Sequence, residues 1–210
     1  MLKIALTKGR IEQKVIPLLE KAGIDCQPLV NKQRRLIVKV GDSYEFIFIK
    51  GPDAITYLNN GVVDLGIVDS DVLMEEQSEA NELLDLQTGK CQFILASTAD
   101  FNWQTSKRLV IGTKYPVIAR RYFTKQGQDV QIIKIEGSVE LTPLIGLVDA
   151  IVDITETGTT LRENHLVIHD YLDKVSTRLV ANPVALKQKK NEIFTFTDKL
   201  AKQVNSKAGY

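Results

Sequence analysis

Apolar positions fall into short runs that alternate with segments spaced for amphipathic helices. Lys3–Leu6 is a brief apolar run that ends in the polar turn Thr7-Lys8-Gly9-Arg10. Ile11, Val15, Leu18, Leu19 and Ala22 then recur at helical spacing as far as Gly23, a stop residue. The pattern predicts a strand, a basic turn and a helix. Leu36–Val40 and Tyr44–Ile49 flank Gly41-Asp42-Ser43, which predicts an antiparallel hairpin. Gly51-Pro52-Asp53 opens a short helix over Ala54–Leu58. Asp64–Val68 reads as a buried strand, and Asp69-Ser70-Asp71 supplies N-cap residues for a helix after it.

Gln92–Ser97 is a further strand candidate, and the polar stretch Ala99–Lys107 reads as a loop near a lobe boundary. A second series follows. Arg108–Gly112, Val130–Ile135 and Ala150–Ile154 are strand-like, while Pro116–Lys125 and Glu140–Leu147 are helix-like. Leu166–Leu172 and Arg178–Ala181 read as β. The basic tail Lys187–Lys207 carries Ile193, Phe196, Leu200 and Val204 at helical spacing under a solvated charged face. Alternation of this kind predicts an α/β protein.

Composition narrows the function classes. The 210 residues include 27 basic and 26 acidic side chains, a net charge of +1, which lowers the weight of a nucleic-acid binder acting through its whole surface. No run is apolar over the roughly 20 residues that span a bilayer, and the first residues lack the h-region of a secretory signal. A cytoplasmic protein without membrane contact is expected. Cys26 and Cys91 are too few for a disulfide scaffold. His165 and His169 are spaced i, i+4, but the β-branched run between them and the want of further ligands nearby argue against zinc.

Two constellations carry candidate chemistry. Ala150–Ile154 ends in a Thr/Gly turn, Thr155-Glu156-Thr157-Gly158-Thr159-Thr160. Successive N–H groups in such a turn form an anion nest, and a helix starting there adds partial positive charge. Asp153 beside it can accept hydrogen bonds from sugar hydroxyls, so the sum fits a sugar phosphate. A threonine-capped helix start without a ligand reads equally well from the residues alone. The second constellation is basic: Lys8, Arg10, Arg34, Arg35 and Lys50 all lie beside expected strand ends, where open α/β sheets bind ligands and where Arg forks match phosphate oxygens.

The run Glu136-Gly-Ser-Val-Glu140 through Asp153-Ile-Thr-Glu-Thr157-Gly158-Thr159-Thr160-Leu161 resembles the signature of ATP phosphoribosyltransferases, the first enzymes of histidine biosynthesis. Leu6-Thr-Lys8-Gly9-Arg10, Asp64-Leu-Gly66-Ile-Val and Lys114-Tyr115-Pro116 with Arg121-Tyr122-Phe123 are similar in register, so the likeness runs along nearly the whole chain. Five positions depart from the family. Val148 stands where a small residue is usual, Asp69-Ser70 replaces a common Gly-Lys, Lys50 stands where many members have Arg, and His165 replaces a frequent Gly.

The resemblance implies two lobes like a type II periplasmic binding protein, with the active site in the interlobe cleft. Lobe I is expected over residues 1–95 plus about 180–210 and lobe II over 96–179, with no C-terminal regulatory domain. It implies condensation of ATP with 5-phosphoribosyl 1-pyrophosphate (PRPP) to phosphoribosyl-ATP and pyrophosphate. It further implies that Thr157, Gly158, Thr159 and Thr160 hold the 5-phosphate and Asp153 the ribose. Arg10, Arg34 and Lys50 are expected as the catalytic cations and Lys8 at ATP. Tyr115 is read as an adenine contact or a core residue. Mg²⁺ is expected to arrive on PRPP or ATP rather than on protein ligands, and a histidyl-tRNA-synthetase-like regulatory subunit is the expected partner. A nucleotide-salvage phosphoribosyltransferase of type I and a non-enzymatic two-lobed binding module are the alternative classes.

Overall fold

The computed structural model describes residues 1–103 and 107–205. In chain order the elements are β1 (Leu2–Thr7), α1 (Arg10–Lys21), α2 (Gln27–Val30), β2 (Ile37–Val40), β3 (Tyr44–Ile49), α3 (Gly51–Asn59), β4 (Leu65–Asp69), α4 (Ser70–Glu75) and β5 (Asn81–Asp85). Then come β6 (Cys91–Ser97), β7 (Leu109–Thr113), α5 (Pro116–Lys125), β8 (Val130–Lys134), α6 (Leu141–Leu144), β9 (Ala150–Thr155), α7 (Thr159–Glu163) and β10 (Val167–Val175). The chain continues through β11 (Thr177–Ala181), α8 (Pro183–Gln188) and α9 (Lys190–Asn205).

Two compact units result. The first is Met1–Gly89 with the chain from Ser176 onward, and the second is Lys90–Val175. These borders differ from the expected 95 and 180. Cys91–Ser97 pairs along its length with second-unit strands, and Thr177–Ala181 pairs with first-unit strands, so the borders fall outside both ladders.

The first unit's sheet has the order β2-β3-β1-β4-β11-β5. β1 runs parallel to β3 and β4, while β2 and β11 pair antiparallel with their neighbours. One face carries Ile4 and Leu6 of β1 with Phe46, Phe48, Leu19 and the α9 stripe Ile193, Phe196, Leu200 and Val204. The stripe read from the tail is therefore consumed in this unit's own core; burying one such Phe contributes about 1.5–3 kcal/mol. The other face packs Ala54, Leu58 and Val63 against Ala5, Val68 and Val180.

The second unit's sheet has the order β10-β6-β9-β7-β8, with β7 parallel to β8 and β9. Its core includes Ile94, Ala96, Val148, Ile151, Leu161 and Leu166. The helix expected over Glu140–Leu147 is only the one turn α6. Pro143 brings no N–H, and the chain reverses at Gly146, with the Leu147 N–H returning to the Thr142 carbonyl at 3.0 Å. Strand β5 had no counterpart among the sequence expectations, because Asn81-Glu-Leu-Leu-Asp85 is mostly polar and only partly buried at the sheet edge. His169 lies in a strand and its Nε2 is 3.0 Å from the Thr98 carbonyl oxygen, so the two histidines do not share a helix face. Residues 104–106 of the expected 99–107 loop, and 206–207 of the expected tail helix, lie outside the described residues.

Candidate active site

In the first unit the cations gather at one end of the sheet, and the strand register explains why. β1 and β3 are parallel with Thr7 opposite Ile49, and the Lys8 N–H donates to the Ile49 carbonyl at 2.9 Å. Lys8 and Lys50 thus leave neighbouring strands side by side at their carboxyl ends. β2 is antiparallel to β3, with Ile37 opposite Ile47 and the Phe48 N–H bonded to the Leu36 carbonyl. The turn that carries Arg34 therefore sits at that same end. Lys8, Arg10, Arg34 and Lys50 are all exposed there.

Several basic residues in the region also have partners within the protein. Arg35 closes its own turn, donating to the carbonyls of Lys32 and Asn31 at 3.2 Å each. Lys32 pairs with Glu12 at 3.0 Å and lies over the Phe48 ring. Arg10 reaches Asp69 at the end of β4, Nη2 to Oδ2 3.2 Å.

In the second unit the Thr/Gly turn leaves the carboxyl end of β9. Gly158 adopts φ 70°, a left-handed conformation natural to glycine, and its N–H donates to Thr155 Oγ1 at 2.8 Å. The Thr157 and Thr159 hydroxyls are 2.9 Å apart. Helix α7 is only five residues long, so little macrodipole is available. Backbone N–H groups and threonine hydroxyls supply the anion-binding character instead. Asp153 with Thr157, Thr159, Thr160 and Glu140 lines a depression of about 190 Å³. Burial pushes the Asp153 carboxyl up to about 6, with the Glu140 charge adding to the rise; the hydrogen bond from the Ile154 N–H and the charge of Lys114 oppose it.

Three residues here escaped the sequence reading. Arg162 folds back over the loop, with Nη1 3.0 Å from the Thr157 carbonyl oxygen and Nη2 3.1 Å from Thr159 Oγ1. Glu140 stands inside the quoted signature but well before Asp153 in sequence, and Lys114 follows β7, which pairs in parallel with β9. Only the α7 spacing, which sets Arg162 three residues after Thr159, was legible beforehand. Tyr115 is 7% exposed and packs edge-on against Phe93 at 5.0 Å between ring centres. Among the described residues, no group of three or more His, Cys, Asp or Glu side chains is arranged to hold a metal ion. No helix is long and apolar enough to cross a membrane among those residues.

Residues 50–202 match the family model described as ATP phosphoribosyltransferase. An ATP phosphoribosyltransferase of Lactiplantibacillus plantarum is 64% identical over 206 residues, covering 98% of this chain and 94% of its own. One from Listeria monocytogenes is 51% identical over 204 residues, covering 97% and 96%. Among solved structures, the ATP phosphoribosyl transferase (HisG:HisZ) complex from Thermotoga maritima superposes with a TM-score of 0.85 at 34% identity, over 98% of this chain and 100% of that one. The periplasmic aliphatic sulphonate binding protein SsuA from Escherichia coli shares the fold at a TM-score of 0.57 and 13% identity, over 99% of this chain and 75% of its own. The fold is the two-lobed α/β class of the periplasmic binding proteins. With the signature loop formed at the end of β9 and the relatives alike over nearly their full lengths, the chain belongs to the ATP phosphoribosyltransferase family.

Proposed function

We propose that this chain joins N1 of the ATP adenine to C1 of PRPP, the first step of L-histidine biosynthesis. The N1–C1 bond forms as the C1–O bond breaks, and pyrophosphate departs with the bonding electron pair. Positive character builds on the ribose and negative charge on the leaving group, so catalysis needs placed cations more than covalent help. The observation that carries the reading is the Thr157–Thr160 turn, with its ordered hydroxyls and left-handed Gly158 beside a carboxyl-lined depression.

In this reading Thr157, Gly158, Thr159 and Thr160 bind the 5-phosphate through backbone N–H groups and hydroxyls. Asp153 accepts hydrogen bonds from the ribose hydroxyls. Arg10, Arg34 and Lys50 face the pyrophosphate, where charge develops, and Lys8 faces the ATP phosphates. A divalent ion is part of this family's chemistry, and Mg²⁺ carried on the phosphate oxygens would supply charge at the leaving group. Asp153 and Glu140 line the same depression, and two neighbouring carboxylates there fit a cation that arrives on the substrate.

The enzyme works in the cytoplasm with a regulatory subunit of the histidyl-tRNA-synthetase-like type. Assembly of the Thermotoga maritima relative as a HisG:HisZ complex supports this. The test is a substrate screen with and without that subunit. Phosphoribosyl-ATP formation should require both ATP and PRPP with Mg²⁺; turnover of a free base with PRPP, or binding without turnover, would overturn the reading.

A further inference from the structure

We propose that Asp69 is a positioning residue for Arg10, holding its guanidinium at the carboxyl end of the first unit's sheet to meet a substrate phosphate. The inference rests on the role given to Arg10 above. β1 and β4 are parallel neighbours with Leu6 opposite Ile67, so Asp69 closes its strand close to where the Lys8–Arg10 turn leaves β1. The Arg10 side chain is 40% exposed and that of Asp69 only 8%, so a solvated cation is tied to a buried anion.

The two carboxylate oxygens have separate tasks. Oδ1 accepts a 2.6 Å hydrogen bond from Thr177 Oγ1, and Thr177 is the directly paired residue on β11. Oδ2 accepts from Arg10 Nη2. One oxygen thus anchors the carboxylate to the sheet and the other aims the arginine. The anchor fits only because residue 89 is glycine: a Cβ there would lie 2.6 Å from Thr177 Oγ1 and 3.1 Å from Asp69 Oδ1. An arginine loses several rotors on binding a ligand, and fixing it beforehand removes part of that cost. A guanidinium presents its N–H donors in a planar fork that matches phosphate oxygens.

The experiment is steady-state kinetics with ATP and PRPP on Asp69→Asn, Arg10→Ala and the double variant, with thermal melts as the folding control. Asp69→Asn keeps the shape and an acceptor for Thr177 but removes the charge that aims Arg10. We expect kcat/KM to fall about tenfold, the scale of one charged hydrogen bond. The double variant should be no worse than Arg10→Ala, because Asp69 acts only through that residue. If Asp69→Asn fails to fold, Thr177→Val keeps the carboxylate and removes its anchor, and should lower kcat/KM several-fold. Losses that multiply in the double variant, or full activity in Asp69→Asn or in a folded Thr177→Val, overturn the inference. Full activity in Arg10→Ala removes the role of Arg10 and the inference with it. Absence of any ATP- and PRPP-dependent turnover in the unaltered chain overturns the functional reading instead.

Discussion

The backbone N–H of Gly158 is bonded to the side-chain oxygen of Thr155 at 2.8 Å, across a turn that Gly158 makes at φ 70°. The loop is thus closed by a residue at its entrance, and its open side is left to the hydroxyls of Thr157, Thr159 and Thr160. A Cβ at residue 158 would stand 3.4 Å from Arg162 Nη1 as well as in the left-handed region.

Replacing Gly158 by Val should therefore re-route the loop. The local strain is about 1–2 kcal/mol, small against the stability of a domain. PRPP affinity measured by isothermal titration should drop more than tenfold while the thermal midpoint moves by only a few degrees. A folded variant with unchanged PRPP affinity would show that the loop does not hold the phosphate.

Asp153 predicts a pH signature. Its carboxyl sits at about 6 in the fold, above its ordinary value of 3.8, chiefly through burial. A raised value means that folding favours the protonated form. That contribution is complete below about pH 4 and is lost as pH rises through about 6. Asp153→Asn should accordingly gain on the unaltered protein at neutral pH relative to acid, by up to about 3 kcal/mol. Urea midpoints of both proteins at the two pH values measure this. The same variant should lose most PRPP-dependent activity; a stability difference independent of pH would mean Asp153 titrates as a solvated acid.

Asp64 is buried at the start of β4 and accepts from the Lys3 N–H at 2.8 Å and from Lys189 Nζ at 2.8 and 2.9 Å. It ties the linker between α8 and α9 to the start of β1. Asp64→Ala leaves a backbone donor and an ammonium group without that partner and should cost about 2–3 kcal/mol. Lys189→Met keeps the Lys3 bond and should cost less, because the Lys189 side chain is 34% exposed and its partner retains a hydrogen bond. Chemical denaturation of the two variants checks the ordering.

His165 occupies φ 56°, a conformation that glycine adopts freely. His165→Gly should relieve about 1 kcal/mol of backbone strain, offset by about half as much added freedom in the unfolded chain. A net rise of about 1–2 °C in the thermal midpoint is expected for a protein of this length.

The sequence by itself determined most of the longer elements and the place of the Thr/Gly turn. Apolar spacing placed α1, the β2–β3 hairpin, α5 and the α9 stripe, because burial on one face imposes a period that survives in one dimension. The Glu136–Leu161 signature marked the Thr/Gly turn, since turn chemistry is local. Only the tertiary structure decided which charges meet. Glu140 and Lys114 bear on Asp153, and Arg10 is held by Asp69 and Thr177, through neighbours distant along the chain. Strand order and register make those neighbours, and no periodicity in a single strand records its partner's register. The same reason hid β5, whose place at the sheet edge comes from pairing with β11 rather than from an apolar pattern of its own. The Phe93 contact of Tyr115 likewise depends on where the sheet places β6 and not on the residues beside Tyr115 in sequence.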